Sequence, residues 1–291
     1  MSNTSTLHRS TPPSGILGLV AREPFVMMAL VMLGLVIGSA ILASWISSAD
    51  PLSISPRFRY RLPSSEFLFG SDQFGRDIFS RVLHGGQISL MVGFLSAVLA
   101  AFFGTLAGLL AGSFRLIDQI LMRVMDGLMA IPNVLLAVAI VSLVGPSLVS
   151  IVVAICIPEI PRVARLIRAM VLTLREEPYV FAAVSMSIPR WKILLRHVLP
   201  GCVAPLVVQF SYMFASAILS EAVLGFLGVG FPSEIPSWGN VIAEGRTAFQ
   251  RAPWCILFPG IFLSITVLTV NILGDRLRDL LDPRISASRA R

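Results

Sequence analysis

Charged side chains are scarce in this chain. Asp, Glu, Lys and Arg together make up 13% of it, and 55% of it is hydrophobic. Soluble domains carry roughly 25% charged residues. That shortage excludes a water-soluble globule, which could not cover so apolar a chain with polar surface. Cysteine is nearly absent too. Cys156, Cys202 and Cys255 lie far apart in or beside apolar segments, with no CxxC or Cys/His spacing, so neither a metal site nor a disulfide framework is implied. His8, His84 and His197 are equally dispersed. No GxxxxGK[ST] phosphate loop occurs; Gly225, Gly228 and Gly230 form only a loose cluster. The nearest thing to a catalytic group is Asp72, Arg76 and Asp77 with His84. No nucleophile–base–orienter set is visible there, and an ion-paired loop packed outside a membrane is the simpler expectation. The formal net charge of +7 is almost all arginine, scattered between apolar blocks rather than gathered on one face, which argues against nucleic acid as a partner.

What the chain has instead is long apolar runs. The first, Phe25 to Ile46, suffices for the ~20 residues that cross a hydrocarbon core. It is longer than a signal-peptide core and follows a long polar leader, so a retained helix is expected. Further runs extend from about Ile88 to Ala111, Ile117 to Val144, Leu148 to Ile167, Val203 to Leu227 and Trp254 to Leu273. The predicted fold is all-α, a polytopic membrane protein with about six transmembrane helices. The third run is the least clean, because Asp118, Arg123 and Asp126 sit in its first half; that half is expected outside the lipid or packed against protein. Gly104 and Gly108, at GxxxG spacing, would let helices approach closely.

Arginine sets the orientation. With the N-terminus inside, the inner segments hold more than twice as many Lys and Arg as the outer ones, which places both termini in the cytoplasm. The expected organisation is a cytoplasmic tail over residues 1–24 and a first transmembrane helix over 25–46. An extracytoplasmic segment follows over 47–87, then a core transmembrane domain over 88–275 containing an inner loop at 168–201, and a cytoplasmic tail over 276–291. Two outer segments result, about Ser47 to Gln87 and Gly228 to Pro253. Glu221 lies in an apolar run, which makes it a functional candidate or a group bonded to backbone near the outer interface. Glu159, between Pro158 and Pro161, is expected to help a bent helix satisfy freed backbone groups.

The inner loop is the most patterned segment. Glu176-Glu177-Pro178 reads as a helix start. A short apolar helix from Tyr179 to Val184 is broken by Ser187-Ile188-Pro189. A second helix carries Arg190, Lys192 and Arg196 and is expected to end at Pro200-Gly201. Composition fits two roles equally: a plug docking on another protein, or an amphipathic helix lying on lipid.

The stretch YVFAAVSMSIPRWKILLRHVLP resembles the EAA loop of ABC importer permeases, with Ala182, Ala183, Ile193, Leu199 and Pro200 in register. Two positions depart from that pattern: Phe181 stands where the motif has Glu, and Ser187 where it has Gly. FLFGSDQFGRDIFSRVLHGGQISL, SEAVLGFLGVGFPSEIPSWGNVIAEGR and FPGIFLSITVLTVNILGDRLRDLLDPR resemble signatures of the dipeptide, oligopeptide and nickel permease family, in its shorter, C-type member. The resemblance covers most of the chain from Phe67 onward.

It implies a type I ABC importer permease fold and a multi-pass protein of the bacterial inner membrane. The implied partners are a second, homologous permease, two cytoplasmic ATPases that bind ATP and Mg, and an extracytoplasmic solute-binding protein; no cofactor is implied in this chain. The solute would be a di- or oligopeptide, with a nickel chelate or glutathione as alternatives. The implied ATPase-coupling residues are Tyr179, Val180, Phe181, Ala182, Ala183, Ser187, Pro189 and Arg190. Asp72, Gly75, Arg76, Asp77, Glu221 and Trp238 are expected near the binding-protein dock or an outer gate. An ion-coupled secondary transporter is the rival class, disfavoured by the lack of an internal repeat and of midplane charges. A membrane-embedded hydrolase is disfavoured by the missing catalytic set.

Overall fold

The computed structural model describes residues 23–281, and no β-strand forms among them beyond one isolated bridge, Ser71 to Asp77. The expected tails, before Glu23 and after Leu281, lie outside the described residues. In lipid every backbone polar group must be satisfied internally, and helices do that within one segment. Nine helices carry the described chain: α1 (Pro24–Ile41), α2 (Ile78–Ser113), α3 (Arg115–Met129), α4 (Asn133–Val144), α5 (Leu148–Leu174), α6 (Pro178–Ser185), α7 (Arg190–Phe226), α8 (Trp238–Gly245) and α9 (Trp254–Leu281). A helical turn, Ala43–Ile46, continues α1 after a break at Leu42.

Several boundaries differ from expectation, each for a local reason. Helix α2 starts at Ile78, inside the segment expected to be extracytoplasmic loop up to residue 87. Asp77 caps it, its carboxylate accepting from the amides of Phe79 at 3.3 Å and Ser80 at 3.1 Å. With 36 residues, α2 is about 54 Å long at 1.5 Å per residue and overshoots a ~30 Å hydrocarbon core. The run from Ile117 to Val144 is not one helix. It breaks at residues 130–132, ahead of Asn133, and α3 and α4 meet at 89°. Pro132 has no N–H to donate, and it disfavours helical backbone at Ile131.

Pro200-Gly201 does not end a helix. A π turn over Leu194–Val198 lets α7 run unbroken from the inner loop into the apolar span. The wider turn accommodates Pro200, which cannot donate to the helical ladder. Helix α9 continues to Leu281, six residues into the expected tail.

Four helices, α1, α2, α7 and α9, are long and apolar enough to cross a membrane, and α3 with α4 makes a fifth if counted as one broken span. Helix α5 covers the remaining expected span, Leu148 to Ile167. Its 27 residues are long enough, but Glu159, Arg162, Arg165 and Arg168 lie along it.

The closest helix packing joins α2 to α5. A Cβ added at Gly104 would fall 2.4 Å from the Val163 Cβ, one at Gly108 2.6 Å from the Ile167 Cβ, and one at Gly112 2.6 Å from the Val171 Cβ. Both helices advance by four residues per contact, so a glycine groove receives a ridge of β-branched side chains. Val163, Ile167 and Val171 are fully buried there.

Candidate functional site

Two places bring the candidate residues together. The first is the inner loop. Helix α5 ends at Leu174, and Pro178 opens α6 after Glu177. Val180 and Ala183 turn inward, 3% and 1% exposed, into the cluster that contains Val171, Ile193, Val198 and Cys202. Tyr179, Phe181, Ala182 and Val184 stand exposed on the other side. The Tyr179 hydroxyl donates to the His197 carbonyl at 3.3 Å and ties α6 to the π turn.

The end of α6 is specific. The Ser187 amide donates to the Val184 carbonyl at 2.9 Å and the Ile188 amide to the Ala183 carbonyl at 3.2 Å. This is a Schellman stop, and it needs a left-handed residue between the two donors' carbonyl partners and Ile188. Ser187 supplies it at φ 55°. The turn therefore forms without the glycine of the EAA pattern.

Next to the loop, α3 is clamped to α5. Arg168 donates from Nε to Asp118 Oδ1 at 2.5 Å and from Nη2 to Oδ2 at 2.7 Å. Arg165 reaches Asp126 at 2.6 Å. Sequence reasoning missed these pairs. Their signal was present, since Asp118 and Asp126 lie eight residues apart on one helical face and Arg165 and Arg168 lie three apart on another.

The second place is the layer formed by the segment before α2 and by α8, which is expected on the outer side. Asp72, Arg76, Arg81 and Glu244 form a buried ion cluster. Arg76 Nε lies 2.6 Å from Asp72 Oδ2, Arg81 Nη1 lies 2.9 Å from the same oxygen and 2.7 Å from Glu244 Oε2, and Arg76 also pairs with Glu244. Arg81 is completely buried. The cluster joins the loop before α2 to α8, across 163 residues of sequence. Arg81 and Glu244 escaped sequence reasoning because nothing local links them.

Of the group Asp72, Arg76, Asp77 and His84, only Asp72 and Arg76 pair, and they do so as part of an ion-paired loop. Asp77 is spent as a helix cap, and His84 Nδ1 lies 3.0 Å from the carbonyl of Ser80 on its own helix. Burial pushes the Asp77 carboxyl above its ordinary value, outweighing the two amides it caps.

Gly75 is required where it stands. It has φ +75°, and a Cβ there would lie 1.9 Å from the Ser55 carbonyl oxygen. Trp238 is fully buried, its indole N–H donating to the Val82 carbonyl at 2.9 Å. Its amide donates at 3.1 Å to the Ser89 hydroxyl, which in turn donates at 2.8 Å to Glu221 Oε2. Glu221 is 1% exposed and thus fastens α7 to α2 and the start of α8. Glu159 accepts from Arg162 at 3.2 Å and from Ser216 at 3.4 Å. Asp72, Gly75, Arg76, Glu221 and Trp238 are therefore internal to this chain. They build the seat of this layer rather than its surface.

Residues 100–287 match the family of binding-protein-dependent transport system inner membrane components. The chain is 47% identical over 258 residues to a protein of Brucella suis biovar 1 (strain 1330) that carries the name peptide transport system permease, covering 89% of this chain and 87% of that one. It is 43% identical over 249 residues to the dipeptide transport system permease protein DppC of Alkalihalophilus pseudofirmus, covering 85% and 82%. Its fold is similar to that in the MetNI methionine ABC transporter in an inward-facing crystal form, with a TM-score of 0.58 and 18% identity over 69% of this chain and 96% of that one. With more than half its length inside the family match, this chain belongs to the binding-protein-dependent transport system inner membrane components: it is a permease subunit of an ABC importer, a non-enzymatic membrane component.

Proposed function

We propose that this chain forms half of the pathway by which di- or oligopeptides cross the bacterial inner membrane, the other half being a second, homologous permease. Two cytoplasmic ATPases, binding ATP and Mg, dock on the inner loop, and an extracytoplasmic solute-binding protein delivers the peptide. Both termini lie in the cytoplasm. The relatives described above carry peptide transport in their names, which supports peptides over nickel chelates or glutathione.

The observation that carries this reading is the two-sided helix α6. One side, Val180 and Ala183, is locked into the chain's own core; the other presents Tyr179, Phe181, Ala182 and Val184 outward. The helix sits directly between α5 and α7. A push on α6 is thus transmitted to both long helices. ATP binding draws the ATPases together, α6 moves with them, and the helices tilt to open the cavity toward the binding protein. Weak contacts in the cavity let the peptide leave.

Phe181, 60% exposed, is the natural anchor. With no motif acid at this position, contact with the ATPase groove is apolar. Burying a Phe side chain contributes about 1.5–3 kcal/mol. Phe181→Asp would bury an unpaired carboxylate and should weaken ATPase association by at least tenfold, since about 1.4 kcal/mol is a factor of ten. The variant should still insert in the membrane, yet lose co-purifying ATPase and substrate-stimulated ATP hydrolysis together. Ala182→Trp tests the same surface by overfilling it. Ala183, being internal, reports instead on the packing of α6 within this chain. Normal transport and normal ATPase association in Phe181→Asp would defeat the docking role and favour a helix lying on lipid.

A further inference from the structure

The outer segment presents a feature that its topology does not require. Positive charge close to a span is disfavoured on the outer side, yet PRFRYRL places Arg57, Arg59 and Arg61 there, and all three are exposed. Two other arginines of the same outer segment, Arg76 and Arg81, are consumed by the buried ion cluster. None of Arg57, Arg59 and Arg61 forms a salt bridge among the described residues, and the exposed acids of the same segment, Asp50 and Glu66, pair with none of them.

The ridge that carries them is firmly built. The Tyr60 amide donates to the Asp72 carbonyl at 3.1 Å, the Arg61 amide to the Ser71 hydroxyl at 2.8 Å, and the Ser55 amide to the Phe74 carbonyl at 3.0 Å. Trp254 donates its indole N–H to the Ser71 carbonyl at 3.1 Å, which ties the ridge to α9. Tyr60 is held at φ 53°, a costly conformation for a residue with a side chain. The Arg59 guanidinium lies 5.0 Å from the Tyr60 ring centroid and that of Arg61 5.8 Å from the Phe58 ring, so both are directed rather than loose. Ile54 and Leu62 flank them, 63% and 67% exposed. Fixed arginines with apolar neighbours are the composition of a protein-docking surface, where arginine is enriched.

We propose that the ridge Ile54–Leu62 is the docking surface for an acidic face of the extracytoplasmic binding protein, with Arg57, Arg59 and Arg61 as its contact charges. The family description supplies the partner class, a binding protein. The buried ion cluster then has a purpose in this assembly: it anchors the ridge to α2 and α8, so a load on the ridge reaches the long helices. The proposal rests on the importer reading above and deepens it by naming the partner's chemistry.

The test uses the whole transporter in nanodiscs of neutral lipid, titrated with its binding protein, with ATP hydrolysis as readout across a salt series. Replacing all three arginines by Gln should raise the half-saturating concentration of binding protein about tenfold, the lower end of electrostatic steering. It should flatten the salt dependence and leave hydrolysis without binding protein unchanged. The triple Lys variant keeps the charge and should stay near wild type. An unchanged half-saturating concentration and salt slope in the Gln variant would overturn the proposal. So would a Lys variant as weak as the Gln variant, or a defect seen only when anionic lipid is added, which would assign the ridge to lipid headgroups. Wild-type transporter that no binding protein stimulates would count against the importer reading itself, a different outcome from a stimulated wild type with an equally stimulated Gln variant.

Discussion

Ser187 shows how one residue can keep a turn that its neighbours require. The stop of α6 needs a left-handed residue, and a side chain there costs about 1–2 kcal/mol relative to glycine. The surrounding bonds from Ser187 to Val184 and from Ile188 to Ala183 hold it in place nonetheless. Ser187→Gly should relieve that cost and stabilise the end of α6 by about 1 kcal/mol. Amide exchange over Pro178–Ser185 should slow by several fold, and Ser187→Val should speed it. Exchange rates unchanged in both variants would show that the turn carries no strain. The serine was readable as a departure from the EAA pattern; that the backbone still turns left-handed was not, because the decision lies in hydrogen bonds to residues three and five positions earlier.

At the scale of elements, the α2–α5 contact is where the proposed push on α6, once carried into α5, would reach α2. Gly108 is its centre, since an added Cβ would lie 2.6 Å from the Ile167 Cβ and 2.7 Å from the Ala164 carbonyl oxygen. Backbone cannot yield as a flexible side chain does. Gly108→Ala should therefore destabilise the protein by about 1–3 kcal/mol. Gly34→Ala and Gly38→Ala on α1, where nothing lies within 4 Å, should be neutral or slightly stabilising. Thermal unfolding in one detergent would compare all three; equal midpoints would refute the close-packing argument. The GxxxG spacing was legible from Gly104 and Gly108, but the partner helix and the third contact at Gly112 were not. Spacing along one helix does not say what faces it. The same limit explains the third apolar run: hydropathy read it as one span, while Pro132 splits it into two helices at a sharp angle.

For the whole molecule, the layer formed by the segment before α2 and by α8 is held to the long helices by a charge-balanced cluster of two arginines and two acids. Removing one partner of a buried pair leaves an uncompensated charge, at a cost of about 3–5 kcal/mol. Arg81→Gln leaves Asp72 and Glu244 short of a cation. It should lower the unfolding midpoint and open the loop before α2 to protease, while Phe181→Asp should not. Resistance to protease equal to wild type would show that the cluster does not hold the layer. The orientation is tested separately: a reporter fused at Arg291 should report cytoplasm, and one near Ser65 the outer side. A C-terminal reporter outside would overturn the arginine-based topology and, with it, the placing of the ridge and of α6 on opposite faces.

By itself the sequence determined the solvent, the helical class, the rough placing of the spans and the family motifs. Each of these depends on composition or on spacing within a short window, where hydrophobicity and backbone satisfaction act locally. Only the tertiary structure decided which candidates are surface and which are seat. Val180 and Ala183 turned inward while Phe181 and Ala182 did not, because α6 lies on the cluster of α5 and α7. Asp72, Arg76, Glu221 and Trp238 became internal because their partners, Arg81, Glu244 and Ser89, arrive from distant parts of the chain. A charge finds its counter-charge in space, and the distance along the chain between Arg81 and Glu244 carries no sign of it.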